Sequence, residues 1–166
     1  MNKYLNRSLT FRIFNSEDLI SGVLINYSKE WTLLASNPVD FVLDGFICLK
    51  NSSISGYDVD STKSITSRIL KKKTPLIEIP KLDIINSHSL VKSLFEEKRV
   101  FAVNNYQKNT FLIGKISDVF NEKIRFSILT PQSRWRGEKI ISIDQIDSIE
   151  FASDYIVSIL LVANNE

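Results

Sequence analysis

Short runs of alternating apolar and polar residues dominate the second half of the chain. The clearest lies at residues 123–128, where Ile124, Phe126 and Ile128 alternate with polar side chains. A period of two predicts a strand with one buried face. Similar short runs, separated by turn residues, fill Phe111 to Phe151. Four short strands with one apolar and one polar face are typical of an antiparallel sheet.

The first half of the chain carries the same kind of pattern. Asn37-Pro38 and Asp44-Gly45 interrupt it with residues that favour turns and break strand pairing. The pattern predicts five strands in this half. They begin with Arg7 to Asn15 and Leu19 to Tyr27, continue from Trp31, and end with Phe46 to Lys50 and Ile54 to Tyr57.

The two halves match each other at one constant spacing. Gly22 and Gly114 are 92 residues apart, and Gly45 and Gly137 have the same separation. Apolar positions such as Ile54 and Ile146 also stay in register at this spacing without a gap. Self-similarity at a fixed period is the signature of a repeat. We therefore expect an internal duplication of a five-stranded unit.

Helical spacing of apolar residues predicts three short helices between and after the strands. Asp60, Ser61 or Thr62 is expected to cap a first helix that ends near Lys73. The other predicted helices are Ser87 to Lys98 and Ser153 to Asn165. The predicted domains are residues 1–73, with one barrel, and residues 87–166, with a second, joined by an apolar packed linker at residues 74–86.

Two glycine-containing segments recur in both halves. The first half has GVLINY (22–27) and DGFICLKNSSI (44–54), and the second has GKISDV (114–119) and GEKIISIDQI (137–146). A strongly bent sheet of short strands tends to close into a small barrel. The arrangement resembles the Sm-like branch of the small SH3-like barrels. The predicted fold class is therefore mainly β with short helices, as two tandem Sm-like barrels related by duplication.

The resemblance implies two family properties, which are binding of single-stranded RNA and assembly through edge strands. Sm-type RNA sites use an Asp and an Asn in one loop and an Arg-Gly pair in a later segment. Arg136-Gly137 matches that pair, whereas Asp44-Gly45 replaces it in the first half. Asp40 lies near the expected Asp, and no Asn follows it at the expected place.

Composition narrows the range of partners and compartments. The formal net charge of +2 over 166 residues argues against a partner such as bulk duplex DNA, which demands a basic face. Cys48 is the single cysteine, so the chain has no internal disulfide, which fits a reducing compartment. The apolar run Tyr155 to Ala163 is too short to span a bilayer. We therefore expect a cytoplasmic protein.

The sequence carries no catalytic signature. His88 is the single histidine, and Cys48 lies among apolar strand residues that offer no activating charge. Carboxylate pairs such as Asp40/Asp44 fall in turns or on polar faces, where a solvated charge is the simpler interpretation. We expect no enzyme, no cofactor and no metal site.

The best candidate for binding is the loop segment around Arg134, Trp135 and Arg136. An aromatic ring between two arginines suits base stacking with phosphate contacts, and it suits a protein interface equally well. The alternative is a tryptophan folded over the end of a barrel with its arginines in solvent. Lys71, Lys72 and Lys73 form a second candidate for phosphate contact, or a solvated helix end.

The leading hypothesis is a non-enzymatic interaction module that binds protein, with self-association through edge strands as a further expectation. The alternative hypothesis is a single-stranded RNA-binding protein of the Sm-like kind. The two differ in salt response, because phosphate-driven binding weakens steeply with salt.

Overall fold

The computed structural model describes residues 1–163, which form ten strands and three α-helices. No α-helix within those residues is long and apolar enough to cross a membrane. The strands are β1 Ser8–Ile13, β2 Leu19–Tyr27, β3 Trp31–Ser36, β4 Phe46–Lys50, β5 Ile54–Val59, β6 Phe101–Asn105, β7 Thr110–Phe120, β8 Lys123–Leu129, β9 Trp135–Ser142 and β10 Ser148–Phe151. The helices are α1 Ile65–Lys73, α2 Ser87–Glu96 and α3 Asp154–Ala163, and single 3-10 turns lie at Asn2–Tyr4, Asn51–Ser53, Thr74–Leu76 and Ile143–Gln145.

All ten strands belong to one antiparallel sheet with the order β5-β1-β2-β3-β4-β10-β6-β7-β8-β9. The fold is therefore mainly β, as the alternating pattern predicted. The prediction of two closed tandem barrels is not confirmed, because the sheet is open. Strand β4 pairs with β10 from the other half of the chain rather than with β5, and β5 and β9 stand at the two ends of the order.

Strand pairings in the first half of the sheet recur 92 residues later. Leu9 lies opposite Gly22 in β1 and β2, and Phe101 lies opposite Gly114 in β6 and β7. A register shift follows Leu24 in the β2–β3 pair and Ile116 in the β7–β8 pair. The 3-10 turns at 51–53 and 143–145 keep the same spacing. Corresponding residues of the two halves therefore occupy corresponding places in their ladders.

The glycines in β2 and β7 permit close approach of the neighbouring strand. A Cβ on Gly22 would lie 2.6 Å from the carbonyl oxygen of Ala35, closer than real Cβ contacts allow. A Cβ on Gly114 would meet the carbonyl oxygen of Ser127 in the same way. A side chain at either position would push the paired strand away. Gly22 and Gly114, which are 92 residues apart, therefore have the same steric role in their strands.

The largest hydrophobic cluster joins both halves of the sheet to α2. Leu90 and Leu94 of α2 are fully buried in it. Leu82 and Ile84, from the connection before α2, are buried in the same cluster. Burial of a leucine or isoleucine side chain stabilises a fold by about 1.5–3 kcal/mol. Two further clusters lie under the first half of the sheet and under α3, where Ile156 packs.

The N-terminal cap of α1 differs from the sequence prediction. Ser64 caps α1, because its hydroxyl accepts a hydrogen bond from the Ser67 N–H at 3.1 Å. The predicted caps Asp60, Ser61 and Thr62 were therefore wrong, since any polar residue before a helical stripe gives the same local signal.

Helices α2 and α3 follow the prediction more closely. Asn86 caps α2, which ends at Glu96, two residues before the predicted end. Lys98 has a φ of 50°, outside the helical region, so the chain has turned away by that point. Helix α3 begins at Asp154. The predicted continuation from Ala163 to Asn165 lies outside the described residues.

The junction of β4 with β10, called the seam below, joins the two halves of the sheet. The rings of Phe46 and Phe151 stack across it with centroids 5.6 Å apart. The Ser53 hydroxyl donates to Asp147 at 2.7 Å. The seam also contacts Gly45, where a Cβ would lie 2.5 Å from the carbonyl oxygen of Phe151. The backbones of the two halves therefore approach each other closely at the seam, and their side chains pack there as well.

Candidate functional site

A tight turn between β8 and β9 presents the predicted Arg-Trp-Arg segment. The Thr130 N–H donates to the Arg134 carbonyl at 2.9 Å, and the Ser133 N–H donates to the Thr130 carbonyl at 2.9 Å. Ser133 is buried and takes a φ of 60°. These bonds fix the point at which the chain enters β9. Because β9 is the last strand of the sheet, the segment lies along a free edge.

Trp135 opens β9 opposite Leu129 of β8. Its side chain is 36% exposed, and the Lys115 ammonium lies 4.7 Å from the ring centroid. This is a cation–π contact, worth about 0.5–1 kcal/mol at an exposed site. The ring is thus held against the sheet by one face without being buried.

Arg134 and Arg136 are both exposed. Arg136 lines a shallow cavity of about 290 Å³ together with Trp135 and Lys115. The structure therefore brings two cations, Lys115 and Arg136, and the Trp135 ring together in one cavity, which Arg134 does not line. Lys115 was not predicted as a member, because β7 meets β9 only through the intervening β8.

Glu138 places a carboxylate in the same cavity. It accepts hydrogen bonds from the hydroxyls of Ser117 at 2.7 Å and Ser127 at 3.2 Å, and it pairs with Arg125 at 3.7 Å. The Ser117 hydrogen bond is the main reason that the pKa of Glu138 is lowered. Glu138 is therefore ionised at neutral pH, and its charge opposes the binding of a phosphate beside Arg136.

The rest of β9 presents apolar side chains that sequence reasoning missed. Ile140 is 57% exposed. A groove of about 80 Å³ beside it is lined on its apolar side by Val103, Leu112, Ile140, Ile141 and Ile146. Lys108 and Lys139 also line the groove. The available signal was the pair Ile140-Ile141, since two consecutive isoleucines in an alternating strand must place one on the polar face.

The three lysines of the second predicted site do not join the first. Lys73 donates a hydrogen bond to the Phe41 carbonyl at 2.7 Å. Lys71 and Lys72 line a separate cavity of about 840 Å³ with Arg7 and Arg68. That cavity lies between α1 and the segment that leads into β1. The structure therefore separates the two groups of candidate residues.

The single histidine and the single cysteine lie in different parts of the sheet and its helices, and neither is near the Arg-Trp-Arg segment in the strand order. The His88 ring is exposed and lies 2.6 Å from the Glu122 carboxylate. Cys48 is fully buried in β4, and this burial raises the pKa of its thiol to about 12. Trp31 is buried, and its indole N–H donates to the Ser87 hydroxyl at 3.0 Å. Within residues 1–163 no three metal-ligating side chains are grouped closely enough to hold an ion.

Comparison of the chain with family models, with curated proteins and with solved structures finds no match.

Proposed function

We propose that this chain is a non-enzymatic interaction module that binds protein through the free edge formed by β9. The observation that carries the proposal is the exposure of the strand. Six consecutive residues, from Trp135 to Ile140, are exposed in an eight-residue edge strand. An edge strand offers a row of unpaired backbone N–H and C=O groups that a partner strand can pair with.

The composition of β9 supports a specific partner over unselective aggregation. Trp135 and Ile140 supply exposed apolar surface, and Trp is enriched at the centres of protein interfaces. Arg136, Glu138 and Lys139 supply charges of both signs along the same edge. Charged side chains on an edge strand discourage unselective pairing, so a partner must match their pattern.

Single-stranded RNA binding is the second candidate function, and one observation favours it. Trp135 is flanked by Lys115 and Arg136 in one cavity, which suits a stacked base with a phosphate nearby. Glu138 opposes it, because an ionised carboxylate lines the same cavity. This charge is why we place protein binding first.

We also propose that the two halves are tandem repeats of an Sm-like five-stranded unit that share one sheet. The recurrence of strand registers at a spacing of 92 residues supports this proposal. Each half contributes the order β5-β1-β2-β3-β4 or its counterpart. A cytoplasmic location is part of the proposal, and the reduced, buried Cys48 is consistent with it.

Capture of partners by edge variants tests protein binding. Tagged wild type, Ile140→Lys and Leu76→Lys are used to capture proteins from a cell extract after RNase treatment. Leu76 is a matched control, since it is an apolar residue that is 82% exposed and belongs to the 3-10 turn after α1 rather than to an edge strand. We expect Ile140→Lys to lose partners that wild type and Leu76→Lys retain. Equal capture by all three chains would contradict the proposal.

A salt titration with a labelled single-stranded RNA oligonucleotide tests the second candidate. RNA binding through this cavity predicts affinity that falls steeply with salt and is abolished when Arg134 and Arg136 are replaced by alanine. Affinity that survives the double replacement would place the RNA elsewhere on the chain. Under the leading proposal, the oligonucleotide binds weakly to wild type and to the variant alike.

A further inference from the structure

We propose that the cavity between α1 and the segment that leads into β1, called the α1 cavity below, binds a small molecule that carries a phosphate group. The cavity is separate from β9, which stands at the opposite end of the strand order. The inference therefore goes beyond the proposed function and does not depend on it. The sequence offered only a row of lysines here, and Lys73 is bonded elsewhere.

Two buried serine hydroxyls in the α1 cavity have no partner. Ser8 of β1 is 6% exposed and Ser67 of α1 is 9% exposed, and both line the cavity. Neither hydroxyl has a hydrogen-bond partner among the described residues. Thr10, the next residue on that face of β1, does, since its hydroxyl lies 2.9 Å from that of Ser21. Native structures seldom leave a buried hydroxyl unpaired, because doing so costs free energy. Rotation about χ1 can turn a serine hydroxyl towards a bound molecule.

The charges around the cavity favour an anion. Arg7, Arg68, Lys71 and Lys72 line it, against a single carboxylate, that of Asp60. Within residues 1–163, none of these four cations forms an ion pair. The Arg7 guanidinium donates to the Asp60 carbonyl at 3.2 Å, which leaves other N–H groups of its five for a ligand. Phosphate accepts hydrogen bonds from guanidinium, ammonium and hydroxyl groups, so it matches this set of donors.

The second half of the chain shows that the fold does not require these serines. At the spacing of 92, Ser8 corresponds to Val100 and Ser67 to Ile159. Ile159 is buried in a hydrophobic cluster, and Val100 packs against the same cluster. Apolar side chains therefore fill the corresponding place under α3, where their burial stabilises the fold. The first half has two unpaired hydroxyls instead, which a bound ligand explains.

The same comparison separates the arginines of the two halves. Arg7 corresponds to Arg99 at the spacing of 92. The Arg99 guanidinium donates to the Glu97 carboxylate at 2.7 Å, so its charge is balanced within the chain. The counterpart of Glu97 is Leu5, which carries no charge. The first half therefore leaves its arginine available to an anion.

The walls of the α1 cavity are held in place by backbone hydrogen bonds. The Asn6 N–H donates to the Leu24 carbonyl at 2.8 Å, and the Asp60 N–H donates to the Ser8 carbonyl at 3.1 Å. A site fixed before binding loses less entropy when the ligand enters. The volume of about 840 Å³ lies within the range of small-molecule sites, about 300–1,000 Å³, and leaves room beside a phosphate for an organic part.

Calorimetric titration of the full chain with AMP tests the role of the hydroxyls. Ser8→Ala/Ser67→Ala removes both hydroxyls and no charge. It should bind AMP at least about tenfold more weakly than wild type, because a hydrogen bond to a charged group is lost at each serine. Ser52→Ala/Ser55→Ala is the control, since both of its serines are exposed. Circular dichroism checks that each variant is folded. Equal affinity of the two double variants would overturn the proposal.

A second pair of variants separates a built site from general attraction of an anion. Arg68→Ala/Lys71→Ala removes two positive charges from the α1 cavity, and Lys108→Ala/Lys139→Ala removes two from the groove beside β9. Only the first should weaken AMP binding. Equal weakening by both would overturn the proposal. Ile140→Lys should bind AMP as wild type does, so loss of protein capture and loss of phosphate binding are told apart.

The choice of ligand distinguishes the possible sources of the phosphate. Tighter binding of AMP than of inorganic phosphate would assign the rest of the cavity to an organic part, and equal affinity would assign it to the free anion. Both results support a small phosphate ligand. No binding of either probe to wild type would overturn the inference. A single-stranded RNA oligonucleotide without a terminal phosphate should not displace AMP; displacement would assign the cavity to a nucleic-acid backbone and overturn the proposal.

Discussion

The seam and the two free edges are built from corresponding residues, yet their burial is opposite. At the seam, four of the five residues of β4 and three of the four residues of β10 are buried. At the free edges, six residues of β9 and three of β5 are exposed. The same ladder position is thus core in one place and surface in the other. The residues at these positions differ accordingly, since at the spacing of 92 Phe46 corresponds to Glu138 and Phe151 to Val59.

This contrast distinguishes a junction inside the chain from two edges that no strand of the described residues covers. The stacked Phe46–Phe151 pair has no counterpart at the free edges, where Glu138 and Val59 occupy those positions. Apolar and aromatic burial therefore holds the two halves together at the seam, whereas β9 carries exposed charges such as Glu138 and Lys139.

Truncation of the seam aromatic is the change with the largest expected effect. Phe151 is fully buried and contacts both the Phe46 ring and the Arg99 guanidinium, whose central carbon lies 5.1 Å from the centroid of the Phe151 ring. Phe151→Ala should lower the free energy of unfolding by about 3–5 kcal/mol. Ile140→Ala on the free edge should change it by less than about 0.5 kcal/mol. Urea titration of both variants measures the difference, and similar losses would show that the two edges do not differ.

Alanine substitution at Gly45 and at Gly137 should change stability by less. The comparison is more closely matched, because the same substitution is made at corresponding positions of the seam and the free edge. Gly45→Ala and Gly137→Ala both force alanine to positive φ, which costs about 1–2 kcal/mol. Only Gly45→Ala also brings a Cβ to 2.5 Å from the Phe151 carbonyl oxygen, so it should lose the larger amount. Unfolding of the dilute chain should separate the two variants.

Local patterns in the sequence predicted much of this fold, because a strand with one buried face must alternate. Residues 123–128 were recognised on that basis, whereas Phe46–Lys50 was recognised as an apolar run that follows the Asp44-Gly45 turn. The seam was not predicted, because alternation shows which face of a strand is buried and carries no information on which strand lies beside it. Pairing of Cys48 with Ile149 spans much of the chain and depends on the whole sheet.

The candidate site was predicted only in part for the same reason. Arg134, Trp135 and Arg136 are adjacent in the sequence, so their grouping needed no knowledge of the fold. Ile140 is apolar and exposed because β9 lies at one end of the strand order, which the sequence does not reveal. Its counterpart in the other half, Cys48, is fully buried.

The pH dependence of stability through Glu150, at the seam, is the smallest expected effect. It tests the contrast between the seam and the free edges through a charged group. Burial in β10, with a lesser contribution from the charge of Asp44, raises the pKa of Glu150. The folded chain therefore binds this proton more tightly than the unfolded chain, and stability falls as pH rises through the window between the ordinary and the raised pKa. Glu150→Gln should be more stable than wild type at neutral pH, and the advantage should shrink as acid protonates Glu150.

Asp144 provides a control of opposite sign in the same region. A hydrogen bond from the Ser142 hydroxyl is the main cause that lowers the pKa of Asp144, with a contribution from the charge of Lys50. Its stabilisation is present above the unfolded pKa and is lost as pH falls through the folded one. Asp144→Asn should therefore be less stable than wild type at neutral pH and equal to it in acid. If both variants shifted the free energy of unfolding in the same direction at neutral pH, partial burial of Glu150 and exposure of Asp144 would not explain the opposite directions of their pKa shifts.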